Sequence, residues 1–419
     1  MKNKKSSRWL KLLPYFFVII IFSYSCQKEN SPLPKPDKQT SMDVSVDLAS
    51  KIALNFTKNE SFTDSCRKGV SLKSGNLSPF SMLKEKEIEK IITINGEDNS
   101  PAIYIIKFKP NGFIILSASK KERAILGFSE SNILNENFGD IGLSDWILSR
   151  KKRIEDLKHD ATYKIPKSVK EEWLYIAPVD GDEIIVSGGT VNEQYGPLLQ
   201  TTWGQDSPYN INLTSIGCLN DEHGKPPTGC VATAIAQIVR KWQFPSSYNW
   251  SIMPNFANRY SYITSGTIEL ARLMKNAGAG AKTSYVCGGS GATVTNARNA
   301  FVNTFGYSSS ASIINYNESA ADTYIVPNIQ AGQPVLMGGI DLTYGGHAWV
   351  CDGYKRYVST LIHNPGTHYE YETTSISNFY LSLNWGWNGD SNGYFLTTDF
   401  TPGNFNFSSG QQCIINIHP

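Results

Sequence analysis

The sequence predicts an α+β chain built as two folded units behind an export signal, and three observations carry that expectation. At 419 residues the chain exceeds a typical single domain and has room for two cores. Charge is unevenly spread: 10 basic and 12 acidic residues lie from position 200 onward, leaving 29 and 25 before it. Helix-period and strand-period segments also alternate in both halves, with turn residues between them. The near balance of 39 basic and 37 acidic residues gives no field that would draw nucleic acid as a partner.

At the N-terminus, Lys2, Lys4, Lys5, Arg8 and Lys11 precede the apolar run Leu12 to Phe22. That run suits an export signal and is short for a membrane span. Ser23, Tyr24 and Ser25 before Cys26 resemble a bacterial lipobox, although Ser23 stands where that pattern usually has Leu. Residues 1–25 are thus read as a lipoprotein-type signal, Cys26 as the lipidated residue, and 26–42, with Pro32, Pro34 and Pro36, as a linker. An exported bacterial protein follows, an outer-membrane or cell-surface lipoprotein or otherwise a secreted one.

The first unit is placed at 43–190. A helix is expected with Val46, Ala49, Ala53 and Phe56 on one face. Ile91 to Ile94 ends at Asn95-Gly96, and Ile103 to Phe108 pairs with Phe113 to Ser117 across Pro110, Asn111 and Gly112. Ser144 to Leu157 reads as a helix with Ser144 as N-cap. His159, between Lys158 and Asp160, reads as a solvated surface residue.

The second unit, 191–419, holds the chemistry. Pro226, Pro227 and Gly229 keep the chain non-helical up to Cys230, and the apolar run to Trp242 is stopped by Pro245. Cys230 therefore opens a helix, where free amide NH groups and the helix dipole favour a thiolate. The other reading of such a cysteine is a buried, inert thiol. A nucleophilic cysteine needs a base, and Gly345-Gly346-His347-Ala348-Trp349-Val350-Cys351 supplies one on a strand. Alternation puts His347, Trp349 and Cys351 on one face, and Gly345 and Gly346 allow close approach of another chain. Taken alone, His347 reads as a core histidine and Cys351 as a core thiol. Asn384, in Leu383-Asn384-Trp385-Gly386-Trp387, is placed to orient the imidazole, with Trp385 covering that bond. Gln205 is the candidate side-chain donor to an oxyanion beside the NH of Cys230. Trp385, Gly345 and Gly346 are candidate cleft residues. The six cysteines after Cys26 include no CxxC pair, and their spacing gives no disulfide framework.

In this order, Gln205, Cys230, His347 and Asn384 with their flanks WGQDSPYN, TGCVATAIAQIVRKWQFP, GGHAWVCDGY and NWGWNGDSNGYF resemble the streptopain family of papain-fold cysteine proteases. The stretch NGFIILSASKKERAILGFS is similar to that family's inhibitory propeptide. The resemblance implies a papain-like protease domain, a helical part facing a twisted antiparallel sheet, preceded by a smaller α+β propeptide domain. It implies a cysteine endopeptidase made as a zymogen, with protein or peptide substrates, its own propeptide as partner, and no cofactor. The connection from Tyr354 to Leu383 is longer than the family's, and the glycine-rich loop near 402–410 is shorter. A transglutaminase-like acyl transferase and an inactive binding or inhibitory lipoprotein are the alternative functions. The joining segment between Lys164 and Gln194, with Ser187-Gly188-Gly189-Thr190, reads as flexible and open to cleavage.

Overall fold

One antiparallel sheet runs through both halves of the chain. The computed structural model describes residues 41–57, 86–134, 141–176, 184–258, 260–341, 345–363, 371–396 and 411–419. The export signal, Cys26, most of the linker and the 402–410 loop lie outside the described residues.

In the N-terminal half come α1 (Val46–Thr57), β1 (Glu87–Asn95), β2 (Pro101–Lys109), β3 (Phe113–Ser117), β4 (Ile125–Ser129), α2 (Ile141–His159) and α3 (Lys167–Ile176). The expected hairpin forms with Ile103 opposite Ser117 and Lys107 opposite Phe113. Two local expectations are corrected. On α1, Ile52 joins Ala49 and Ala53 in the core, whereas Val46 in the first turn is exposed. Helix α2 begins three residues before Ser144, so Ser144 lies inside its first turn and does not cap it.

The C-terminal half begins with β5 (Ile184–Tyr195) and continues through α4 (Cys230–Trp242), α5 (Ser265–Gly280), α6 (Val294–Asn299), β6 (Ser312–Asn315), β7 (Val335–Asp341), β8 (Gly345–His363), β9 (Tyr371–Asn384), β10 (Gly393–Leu396) and β11 (Gln412–Ile415). Strand order is β1-β2-β3-β4-β10-β9-β8-β7-β11-β6, with β5 added beside β8. The segment expected to be flexible is thus a paired strand, Ile184 opposite His363 and Tyr195 opposite Tyr354, with a register shift between Ser187 and Thr190 at the two glycines. Backbone pairing supplies order that the Gly-rich sequence does not signal.

The halves join where β4 meets β10, Phe128 opposite Tyr394 and Gly127 opposite Phe395. A Cβ on Gly127 would come within 2.9 Å of the Phe395 ring, so a side chain there would push the strands apart. Residues 42–419 accordingly form a single compact unit. Alternation along β8 then divides the core. Ala348 and Val350 pack with α4, α5 and α6, whereas Trp349 and Cys351 join a cluster containing Leu134, Trp146 and Ile147 of the N-terminal half with Leu383, Trp385 and Phe395. Trp146 meets Phe395 edge-on at 5.1 Å, and Phe395 meets Trp385 edge-on at 5.4 Å.

Trp146→Ala in the intact chain is expected to lower the unfolding free energy by about 3–5 kcal/mol, as loss of a buried Trp does elsewhere. Urea titration followed by circular dichroism measures this. An unchanged midpoint would show that α2 does not seal this surface.

Candidate active site

Cys230 is the first residue of α4, as the Pro-Pro-Thr-Gly run before it dictates. Gly229 holds φ +86°, which only glycine adopts without strain, and a Cβ there would lie 2.5 Å from the carbonyl oxygen of Ser290. The NH groups of Cys230 and Val231 face the sulfur, as does the backbone NH of Ala348 on β8. The nucleophile candidate and the residue after His347 therefore meet.

His347 is buried, and its ring stacks on Trp387 at 4.2 Å, with Trp349 at 6.0 Å and Trp385 at 6.3 Å. Its Nε2 lies 3.2 Å from the carbonyl oxygen of Trp385. A carbonyl only accepts, so Nε2 carries the hydrogen and the Nδ1 lone pair remains for a proton. No hydrogen bond joins His347 to Cys230 or to Asn384 among the described residues. Asn384, at the end of β9, instead donates Nδ2 to Thr201 O at 2.8 Å and to Gln237 Oε1 at 3.2 Å. Its Oδ1 accepts from Gln237 Nε2 at 3.1 Å and from the NH of Gly386 at 3.2 Å. The side chain read as the orienting group is thus bonded elsewhere, and the backbone of the next residue reaches the imidazole.

Gln205 is half-buried, and its carbonyl accepts from the NH of Thr228 at 2.9 Å, which places its loop beside the start of α4. Gly345 and Gly346 pair with Asp341 and Ile340 at the entry of β8, and Trp385 is buried.

The sequence model of the Peptidase C10 family matches residues 203–247 and 246–395, and that of the Spi protease inhibitor matches 41–154. Streptopain of Streptococcus pyogenes is 25% identical over 422 residues, covering 87% of this chain and 93% of that protein. The chain thus carries a peptidase C10 segment over residues 203–395. It is a cysteine peptidase carrying its own inhibitory propeptide domain. A thiol protease/hemagglutinin, PrtT of Porphyromonas gingivalis, is 26% identical over 267 residues, 53% of this chain and 28% of that protein. In fold, the chain is similar to a fragment of Prevotella intermedia prointerpain A, with TM-score 0.54 and 23% identity over 79% of this chain and 99% of that one.

In the intact chain burial disfavours the charged form of both Cys230 and His347. Burial raises the Cys230 thiol above its usual pKa and outweighs the amide NH groups that favour the thiolate. Burial likewise takes His347 down to about 3, against the raising effect of the Trp385 carbonyl. Helix-start stabilisation of a thiolate, expected from sequence, is present in direction and overridden by desolvation. Cys351 and Cys413 are buried and their thiols are pushed up the same way.

Sequence reasoning missed Gln237 and Trp387. Gln237 is fully buried, accepts from Thr201 Oγ1 and the NH of Trp203, and joins α4 to Asn384. A glutamine seven residues after Cys230, two turns along the same helix, was the available signal. For Trp387 the neighbouring tryptophan drew the assignment, and only the ring stacking distinguishes the two.

A histidine held at about 3 against an ordinary 6.5 contributes stability that is complete above pH 6.5 and lost as pH falls towards 3. Asp352, raised by burial to about 7, acts in the opposite sense, its share being lost as pH rises through that value. Between about pH 6.5 and 4 the two slopes oppose each other, so the unfolding midpoint of His347→Gln, which keeps only the Asp352 slope, should rise relative to wild type as pH falls through that window. Equal slopes in the two proteins would assign the acid sensitivity to other groups.

Proposed function

We propose that Cys230 is the nucleophile and His347 the acid/base of a cysteine endopeptidase made as an exported zymogen. The observation that carries this reading is the meeting of the α4 N-terminus with β8, Cys230 sulfur against the NH of Ala348. In the processed enzyme Nδ1 of His347 takes the thiol proton, and the thiolate adds to the peptide carbonyl carbon. Negative charge on the carbonyl oxygen is met by the NH of Cys230 and the Gln205 side chain. The imidazolium then protonates the leaving amine, and water attacks the thioester to release the acid and restore the thiol.

His347 is oriented by the Trp385 carbonyl, and Asn384 acts one step back, fixing the end of β9 to Gln237 and Thr201. Trp385 and Trp387 keep water from that hydrogen bond, and Gly345 and Gly346 border the cleft. The propeptide occupies 43–190 and the peptidase 191–419. Its removal exposes His347 to solvent, which lets the imidazole charge and pair with the thiolate. The basic residues ahead of the apolar run Leu12 to Phe22 support export, with Cys26 as lipid anchor. Mass spectrometry of the exported protein should find a diacylglyceryl group on Cys26, and a free thiol there would remove the anchor from the scheme.

Activity on a fluorogenic peptide after processing by added active enzyme tests the site. Cys230→Ala and His347→Ala should abolish hydrolysis, and Cys230→Ala alone should stay full length. Gln205→Ala should lower kcat by about a hundredfold, and Asn384→Ala should lower it by less than loss of either member of the pair. Turnover retained in Cys230→Ala would overturn the assignment.

A further inference from the structure

Cys218 and Cys287, 69 residues apart, form a disulfide, whereas Cys230, Cys351 and Cys413 are free. Both halves of this cystine sit in loops bound to the start of α4. In the first loop, the NH groups of Ile216, Gly217 and Cys218 converge on the carbonyl of Gly224 at 2.9–3.0 Å. Asn210 Nδ2 holds the loop by donating to Asp221 Oδ2 at 3.0 Å and to the carbonyl of Pro226 at 3.2 Å. The loop thus spans the chain between Gln205 and Cys230.

The second loop runs from Ser284 to Gly291, which pair at its base. The carbonyl of Ser290 lies against Gly229, the residue before Cys230, closely enough to exclude any Cβ there. Around Gly288, Gly289 and Gly291 there is open space, with nothing within 4 Å of where a Cβ would stand. Three glycines in so short a loop give a backbone with many accessible conformations. Inside the loop the NH of Gly289 donates to Val286 O and the Ser290 hydroxyl bridges the NH and carbonyl of Val286, each at 3.3 Å. Tyr285 packs on Gly278 of α5, and the disulfide ties the tip to the first loop.

We propose that the Cys218–Cys287 disulfide is a positioning element of the peptidase. It presses the 284–291 loop onto Gly229 and so sets where Cys230 stands relative to β8. Active enzyme then needs one cysteine reduced and one pair oxidised at the same time. Cys287 is exposed, so a reductant that keeps Cys230 free also reaches this bond. The inference rests on Cys230 being the nucleophile.

The test compares processed wild type with a Cys218→Ala/Cys287→Ala double variant, each normalised to competent sites counted with an irreversible thiol-directed inhibitor. Global stabilisation alone would change the number of competent sites and leave each site's rate intact. Positioning predicts that kcat/KM per competent site falls by about tenfold or more, as small displacements of reacting groups do, and that inhibitor capture by Cys230 slows with it. Per-site values matching wild type would overturn the proposal. Should the double variant fail to fold, wild type is opened with a phosphine and the opened fraction is read by maleimide labelling and mass spectrometry. Activity should then fall in step with opening, and full activity in fully opened enzyme would overturn the proposal. Activity surviving in Cys230→Ala would instead refute the nucleophile assignment on which it rests.

Discussion

A neutral imidazole sealed among Trp349, Trp385 and Trp387 is the constraint on which the intact chain depends. An imidazolium there would have no carboxylate partner and would lose its hydration, so burial holds His347 uncharged. The Cys230 thiol likewise stays protonated, because the NH groups of Cys230, Val231 and Ala348 offset only part of the cost of a buried thiolate. Both side chains are thus held uncharged by their dielectric environment.

The core that holds Trp349 and Trp385 continues into the propeptide half through the sheet. The propeptide strand β4 extends the peptidase sheet at β10, and the core under Trp146, Phe395 and Trp385 crosses the junction without a seam. Polar ties reinforce it: Lys355 pairs with Glu130 at 2.7 Å, Arg123 donates to Asn378 at 2.8 Å, and the NH of Ser391 donates to Ile133 O at 2.8 Å. Covalent linkage gives the propeptide a high effective concentration, so the interface does not have to be tight by itself. Cutting the segment that joins propeptide to peptidase removes that advantage and leaves the interface to compete on its own affinity.

Local signals were legible in the sequence, and distant backbone pairings were not. Pro226, Pro227, Gly229 and Pro245 bracket α4 because each acts on its own backbone, and Asn111-Gly112 marks the β2–β3 turn for the same reason. Joining Gly127 to Phe395 requires strands more than 200 residues apart to meet, and neither segment encodes the other's address. The contact to His347 illustrates the same limit in the site. Its acceptor is the main-chain carbonyl of Trp385, an atom every residue possesses, so residue type pointed one position away, to Asn384. Likewise the cystine joins Cys218 to Cys287 across loops whose proximity only the fold creates.

These displaced assignments converge on α4. The helix carries Cys230 at its first residue and Gln237 seven residues on, about 10 Å along a rod whose hydrogen bonds make it stiff. Gln237 grips Asn384, Asn384 fixes the start of the turn containing Trp385, and the Trp385 carbonyl holds Nε2 of His347. Cys230 and His347 are therefore referenced to one rigid element by two routes, one direct and one through buried amides. Moving the helix carries both ends of that chain along with it. A displacement that separates Cys230 from His347 must instead come from what presses on the helix start, and there the contacts are backbone surfaces, the Gln205 loop, β8 and the Ser290 carbonyl on Gly229. Glycine at position 229 is required there twice over, by its φ of +86° and by the Ser290 carbonyl that a Cβ would meet at 2.5 Å.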